Sequence, residues 1–528
     1  MFNTIRKIAF FPAFLMMIAI LGFNLLDKEG FGNFANALNN WVMANLGWSF
    51  SVAAVVCLTA VIVTYFSPLA KVRIGGPDAK PLFKKKEWFS ITLCTTLAAG
   101  LLFWGTAEPI YHITAPPESL GIAANSPEAA KFAMETMFLH WTFVPYAFYT
   151  VSTIIMAFAF YNMKKPFSVG SQLAPILGKN ESKTALEIID AIVLLGLALV
   201  FASSMATGVI NMGGAVNAIT GIPSGPASWG IITIVAIATF VISSSTGLLK
   251  GIRVLSNINV IVYAVILFFV FLVGPTVYNL NIGVEGFGGF INGLFNKTLF
   301  TGGFAGDPWP SWWTTFYWAN WMGWGPVTAV FLGRLCKGYT IKEVIQMNFL
   351  WAGFFGSIWM VIFSGTAINF QMTGVVDLAS VLYDKGPEFV GYVVLQQFPL
   401  SGLIIPFFLF ITLITFITAA DSTTNAIAGI CTTGINIDNQ EGSLLMKVVW
   451  GVGMGAVAYI LLSFAGIGGI KTLSNAGGVP AIIIVIGAAV SLFVLNRDYG
   501  KLDLVSGTTE KFNVNTVTTA TGAKTEKA

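Results

Sequence analysis

Residues 312–333 read Trp312-Trp313-Thr314-Thr315-Phe316-Tyr317-Trp318-Ala319-Asn320-Trp321-Met322-Gly323-Trp324-Gly325-Pro326-Val327-Thr328-Ala329-Val330-Phe331-Leu332-Gly333, an uncharged run closed by Arg334. A helix needs about 20 residues to cross a bilayer, so this run is long enough to span one. It has eleven companions. The apolar pattern predicts twelve spans, at 8–26, 48–66, 89–112, 135–162, 184–217, 229–248, 252–276, 312–333, 343–366, 400–430, 444–464 and 478–495. Hydrocarbon offers no partner for bare backbone N–H and C=O groups, so a spanning segment is a helix or part of a closed barrel. The short alternating strands of a barrel are missing. The expected fold is an all-α membrane protein of twelve transmembrane helices.

Composition agrees. Of 528 residues, 55% are hydrophobic and 10% charged, against about 25% charged in a soluble domain. Mean hydropathy is +0.78. The net charge of +4 has no pattern suited to nucleic acid, but it is patterned for topology. With the N-terminus inside, only Lys28, Lys131, Lys297, Lys385 and Lys471 of the 28 Lys and Arg fall outside. The positive-inside rule then puts both termini in the cytoplasm. Residues 1–26 resemble a signal peptide in carrying Arg6 and Lys7 before an apolar run, but no small-residue cleavage site follows. They are read as the first span.

Three regions are expected: 1–88 with the N-terminal end and two accessory spans, a transport core at 89–497, and a disordered cytoplasmic tail at 498–528, rich in Thr, Gly and Lys. Short interfacial helices are expected near 283–296 and 375–384. Spans three to seven and eight to twelve make two sets of five. An odd number per set inverts the second, which is the arrangement of transporters that bind cargo near the midplane.

Enzyme chemistry has little to work with. Cys57, Cys94, Cys336 and Cys431 lack disulfide or ligand spacing, and the two histidines, His112 and His140, have no ligand spacing to a partner. No enzyme activity and no cofactor are expected. Composition alone leaves a channel or a membrane sensor open.

In span eight, Trp318, Trp321 and Trp324 recur every three residues and share one side of a helix. An interfacial Trp belt accounts for Trp at a helix end, less well for three more continuing inward. Gly323, Gly325 and Pro326 weaken the helix beside them. Span four adds Trp141, Tyr146 and Tyr149. Aromatic faces attract cations, each by about 0.5–2 kcal/mol when desolvated, and a quaternary ammonium has no N–H for a conventional hydrogen bond. Core packing is the other reading of such a cluster.

The pattern Trp313-x-x-Phe316-Tyr317-Trp318…Trp321-x-x-Trp324-x-Pro326, then Arg334 and Thr340-Ile341, resembles the signature of the betaine/choline/carnitine transporter family. Gly105-Thr106-Ala107-Glu108-Pro109, Gly251-Ile252-Arg253 with Leu255-Ser256-Asn257-Ile258-Asn259, and Thr418-Ala419-Ala420-Asp421-Ser422 resemble further family motifs, and the likeness runs from about residue 5 to 497. The resemblance implies a leucine-transporter-like fold in which two extra helices precede the two inverted repeats. It also implies a homotrimer in the lipid bilayer of a bacterial inner membrane, importing a small methylated amine or quaternary ammonium compound. The substrate site it implies comprises Trp141, Tyr146, Tyr149, Trp318, Trp321 and Trp324, with Asn320 added to the wall. Tyr146 and Asn320 stand where the family has Trp, and span three keeps only Gly100 of the family's glycine run. That loss of glycines predicts a less close backbone approach and favours a cargo without a carboxylate.

Family members couple to sodium or protons, or exchange without ions. The resemblance implies a sodium position near the Cys94 and Leu97 carbonyls and Thr418, with Thr415 compensating for Ala419, where the family has Ser. Ion-independent members carry an Arg in span seven, and Val260 at that place is neutral, which favours sodium as coupling ion. Glu108, His112, His140 and Asp421 are the candidates for proton coupling. The short tail, with dispersed lysines, gives no support to osmotic activation.

Overall fold

The computed structural model describes residues 5–178, 182–245, 248–436 and 441–498 and the pairs 502–503 and 508–509, with side chains left aside at 97–99, 244–245, 248–252, 464–467 and 473. Among these the chain is helical almost throughout. Ten helices are long and apolar enough to cross a membrane, and eleven if Lys85–Thr96 and Gly100–Thr114, bent by 54° to each other, are one span. The helix Thr314–Leu335 falls outside that group, yet every one of its residues except Asn320 is buried. A helix covered on all sides belongs at the centre of a bundle. Most of the expected tail at 498–528 lies outside the described residues; within it Leu502–Asp503 pairs antiparallel with Thr508–Thr509.

Several boundaries differ from those expected. The second span belongs to a longer helix, Lys28–Phe66. The expected interfacial helix at 283–296 begins earlier, as Thr276–Asn292. At 375–384 there is only the short turn Leu378–Ser380 and a wider coil, and the longer helix there is Pro387–Gln396. The last two spans are helical from Leu444 to Arg497 without the expected loop. This stretch still traverses the bundle twice. Ser443 N–H donates to Thr432 Oγ1 at 3.3 Å and Asn496 donates to Thr64 Oγ1 at 2.8 Å, at one end of the bundle. Between them Lys471 Nζ meets the Trp312 carbonyl at 3.1 Å, at the other end.

The segments expected inside converge on one end. Arg6 pairs with Asp190 at 2.7 Å and donates to the Ile430 carbonyl at 2.8 Å. Arg73 and Thr340 form a β-bridge, and Gly75 N–H donates to Asn162 Oδ1 at 2.9 Å. At the opposite end Asp307 ties two loops, accepting from Ser119 N–H at 2.9 Å and Ser119 Oγ at 2.6 Å. Burial works to raise the Asp307 carboxyl, but these bonds and the Trp309 N–H hold it below the usual carboxylate range.

The interrupted spans are three, bent by 54° before Gly100, and four, not the span eight that its glycines and proline suggest. Thr314–Leu335 continues through Gly323, Gly325 and Pro326. The carbonyl that Pro326 leaves without its helical N–H is that of Met322, and Gln172 Nε2 braces the same turn by donating to the Pro326 carbonyl at 2.8 Å. Span four instead stops at Trp141 and restarts at Phe143, with Thr142 at φ −120°, ψ −119°. Gly356 lets the neighbouring helix approach this break, because a Cβ there would lie 2.6 Å from the Trp141 carbonyl oxygen.

Candidate solute site

Trp321 is the hub of the aromatic cluster. Its ring centroid lies 5.5 Å from Trp141, 6.0 Å from Tyr146 and 5.6 Å from Tyr149, and Tyr146 and Tyr149 are 6.5 Å apart. The ring planes of Trp141 and Tyr149 stand at 79° and 75° to that of Trp321. Trp141 and Tyr149 thus meet Trp321 edge to face, an arrangement that aromatic packing and cation-binding clusters share. None of the four is more than 5% exposed, so the cage is closed to solvent. Three of its members come from either side of the Thr142 break, and the fourth from the buried span eight.

The other residues expected in this site go elsewhere. Trp318 packs on Phe148 at 5.8 Å and His140 at 5.9 Å, and Trp324 packs on Phe201 at 5.5 Å. A three-residue step turns a helix by about 300°. From Trp318 to Trp324 the accumulated drift therefore separates the three rings onto different neighbours. Asn320 faces the last helix, within 3.5 Å of Ser474 Oγ. The structure thus brings together Trp141, Tyr146, Tyr149 and Trp321, and leaves Trp318, Trp324 and Asn320 outside their ring contacts.

Gly100, the one glycine kept in span three, has a visible use. A Cβ at Gly100 would come 3.1 Å from Trp141 Cη2, so its absence leaves room for that indole. Span three is also bent by 54° just before Gly100. Beside the cage, the buried Tyr146 hydroxyl has Thr96 close by but makes no hydrogen bond of ordinary geometry among the described residues. A bare hydroxyl in an aromatic cage can donate to a carboxylate or accept from an N–H.

Behind Trp141 lies a polar cluster that only the fold assembles. Glu108, His112 and His140 are each fully buried. Glu108 Oε1 is reached by His112 Nε2 at 3.1 Å and His140 Nδ1 at 2.7 Å. Its other oxygen accepts from Trp141 Nε1 at 2.7 Å and from the Tyr317 hydroxyl at 2.5 Å. Trp321 Nε1 in turn donates to the His140 carbonyl at 3.0 Å. Two cage indoles are thereby anchored to one buried acid and its histidine partner. The expectation that the two histidines lack a partner at suitable spacing does not hold: His112 lies four residues after Glu108, on the same helix face, and bonds it. Nothing local points to His140 or Tyr317.

Among the residues expected to hold sodium, Thr415 offers no free oxygen in this conformation. It donates to the Ile411 carbonyl at 2.7 Å and accepts from Asn259 Nδ2 at 2.9 Å and the Tyr263 hydroxyl at 2.6 Å. One hydroxyl has a single donor and two lone pairs, and all are used. The Asn259 amide also lies 3.6 Å from Cys94 Sγ. Thr418 donates to the Ile414 carbonyl at 2.8 Å, which leaves its lone pairs for another partner. Leu97 lies in the bend, and its side chain is outside the described residues.

Residues 8–500 match the model of the BCCT, betaine/carnitine/choline family transporter. The chain is 29% identical over 492 residues to an ectoine/hydroxyectoine transporter of Virgibacillus pantothenticus, covering 92% of this chain and 94% of the relative. It is 30% identical over 445 residues to an ectoine/glycine betaine/proline transporter of Corynebacterium glutamicum, covering 83% and 71%. A glycine betaine transporter of Bacillus subtilis is 26% identical over 494 residues, covering 91% and 93%. These relatives are transporters, not enzymes, and a match over almost the whole length identifies the chain as a multi-pass membrane transporter of the betaine/carnitine/choline family.

Proposed function

We propose that the protein is a secondary active transporter that imports a small solute bearing a positively charged nitrogen, of the betaine, choline or ectoine type, by sodium symport. The observation that carries this reading is the set of three rings, Trp141, Tyr146 and Tyr149, inclined at 79°, 56° and 75° to Trp321. Aromatic faces attract a desolvated cation, whether a quaternary ammonium without N–H or a delocalised amidinium. The free Tyr146 hydroxyl supplies one polar contact. The relatives named for ectoine, glycine betaine and proline favour a cargo with a carboxylate over a simple methylated amine. The lost glycines of span three point the other way, so trimethylamine-like solutes remain an outcome of the test.

Twelve spans, with Thr314–Leu335 as the eighth and two inverted five-helix repeats, complete the reading. The closed cage has to open alternately to each side, as in transporters whose site lies at the interface between repeats. Sodium sits near the Cys94 and Leu97 carbonyls and Thr418. The neutral Val260 supports it, because no fixed positive charge competes there. Both termini are cytoplasmic in this reading, and the functional unit is a homotrimer.

Reconstituted vesicles test it directly. Radiolabelled glycine betaine, ectoine, choline and trimethylamine are offered with and without an inward sodium gradient. Accumulation of at least one of them that requires the gradient is expected. Equal accumulation in sodium-free buffer would remove the coupling, and none with any solute would remove the cargo class.

A further inference from the structure

We propose, resting on the transport reading above, that Glu108, His112 and His140 form a buried proton-binding site whose occupancy loosens the cage's hold on a cationic solute through Trp141. The hydrogen-bond partners assign the tautomers. His140 Nδ1–H donates to Glu108, and its Nε2 lies 3.0 Å from Thr314 Oγ1, which serves as donor. His112 Nε2–H also donates to Glu108, so its Nδ1 carries a lone pair. That Nδ1 is buried and has no partner among the described residues. It is the open acceptor in a cluster whose carboxylate oxygens already take four donors.

A proton entering the cluster binds His112 Nδ1. One N–H bond forms, none breaks, and the net charge of the cluster rises from minus one to zero. Burial costs an imidazolium its hydration, and the Glu108 carboxylate and the surrounding rings offset that cost. Ring centroids of Trp313, Trp309 and Phe132 lie 4.7, 5.2 and 6.2 Å from that of His112, and aromatic faces stabilise a cation. The other titratable and charged groups around the cluster are few. Tyr317 bonds Glu108, and Lys471 Nζ sits 3.7 Å over the Trp313 ring. Lys297 is paired with Glu135 at 2.7 Å on the His140 side, and Glu388 lies beyond Tyr111. His112 is close to the Thr114 end of its helix, away from Lys84, Lys85 and Lys86.

The link to cargo is electrostatic. A carboxylate on the indole N–H of Trp141 makes that ring's face more negative and adds its own attraction for a cation in the cage. Neutralising the cluster removes both, and in a poorly screened interior the loss is felt over several ångströms. By reciprocity, a cationic solute entering the cage expels the proton. His112 and Glu108 are therefore positioning residues for charge, acting through Trp141.

The experiment uses the full-length protein in lipid nanodiscs, with radiolabelled glycine betaine and ectoine as probes. Binding is measured at about pH 4 and about pH 8, an interval wide enough to include an imidazole whose burial opposes its charge. The wild-type protein should bind at least about fivefold more weakly at the lower pH. In His112→Gln, which keeps an N–H for Glu108 but has no basic lone pair, the ratio between the two pH values should fall to near one. Adding solute to the wild-type protein in weak buffer should release protons. Equal wild-type affinity at both pH values, or an undiminished ratio in a folded His112→Gln, overturns the proposal while leaving the cargo reading intact. Where His112→Gln does not fold, the proton-release measurement decides alone, and no release overturns the proposal. Absence of binding by both probes at both pH values removes the cargo reading and this site with it.

Discussion

Trp141 donates its indole N–H to Glu108 Oε2 at 2.7 Å while its ring stands at 79° to Trp321, 5.5 Å away centre to centre. One side chain is thus both a cage wall and the ligand of a buried acid. The orientation of that wall depends on the carboxylate behind it as well as on its aromatic neighbours.

Trp321 touches all three other cage rings, so its removal should be the most costly for binding. Trp321→Ala is expected to weaken solute affinity by about 2–3 kcal/mol, the sum of lost cation–π attraction and lost wall. Trp324→Ala, which loses a contact to Phe201 instead, should cost clearly less. Isothermal titration of both variants with glycine betaine compares them, and equal losses would count against Trp321 as the hub.

Gly100 faces the far edge of the same indole. A Cβ there would already lie 3.1 Å from Trp141 Cη2, and a branched side chain intrudes further. Gly100→Val should displace the ring and lower affinity at least about tenfold, with a smaller effect on thermal stability. An unfolded variant, or one with wild-type affinity, would show that the space at Gly100 serves packing alone.

Gly356 meets backbone, which cannot swing aside. Its replacement by Ala places a Cβ 2.6 Å from the Trp141 carbonyl oxygen, beside the helix break at Thr142. Overpacking of this kind costs about 1–3 kcal/mol. A lowered Tm in detergent is the expected reading, with solute binding falling in parallel because the break positions Trp141.

Glu388, on the helix Pro387–Gln396, is buried, and burial pushes its carboxyl up to about 7, against the opposing pull of a backbone hydrogen bond. A folded protein that holds this proton more tightly than the unfolded chain is most stable at low pH. The contribution is lost as pH rises from about 4.5 through about 7. Its size is on the order of 2–3 kcal/mol. Glu388→Gln should therefore raise Tm at pH 8 relative to wild type and leave it little changed at pH 5, in about the interval where the carboxyl titrates. A uniform shift at both pH values would assign the effect to packing.

Much of the architecture is written locally. Apolar length marks the spans, since bilayer thickness is a one-dimensional criterion that a run of residues meets or fails. Lys and Arg placement sorted the loops, and the segments holding Arg6, Arg73 and Thr340 do meet at one end. Span eight was expected from its lack of charge; the helix Thr314–Leu335 falls outside the group apolar enough to cross a membrane, and its place is marked instead by burial of every residue but Asn320. The continuous helix through the last two spans was not legible, because Gly and polar residues near Lys471 read as a loop when the packing that supports them is out of view.

The site divides along the same line. From sequence alone, Trp141, Tyr146, Tyr149 and the Trp series of span eight stood out as an aromatic set, because residue type and helical spacing are local properties. Which ring faces which was decided by tertiary structure. The choice of Trp321 over Trp318 and Trp324 follows from the rotation of one helix against its neighbours; the break at Thr142 has a local cause in Pro145, which lacks the N–H for the Trp141 carbonyl, and Gly356 only makes room beside it. Tertiary structure also decides the setting of Glu108, which gathers His140, Trp141 and Tyr317 from distant parts of the chain. A buried carboxylate must find donors wherever the fold supplies them, and only the folded chain shows where they are.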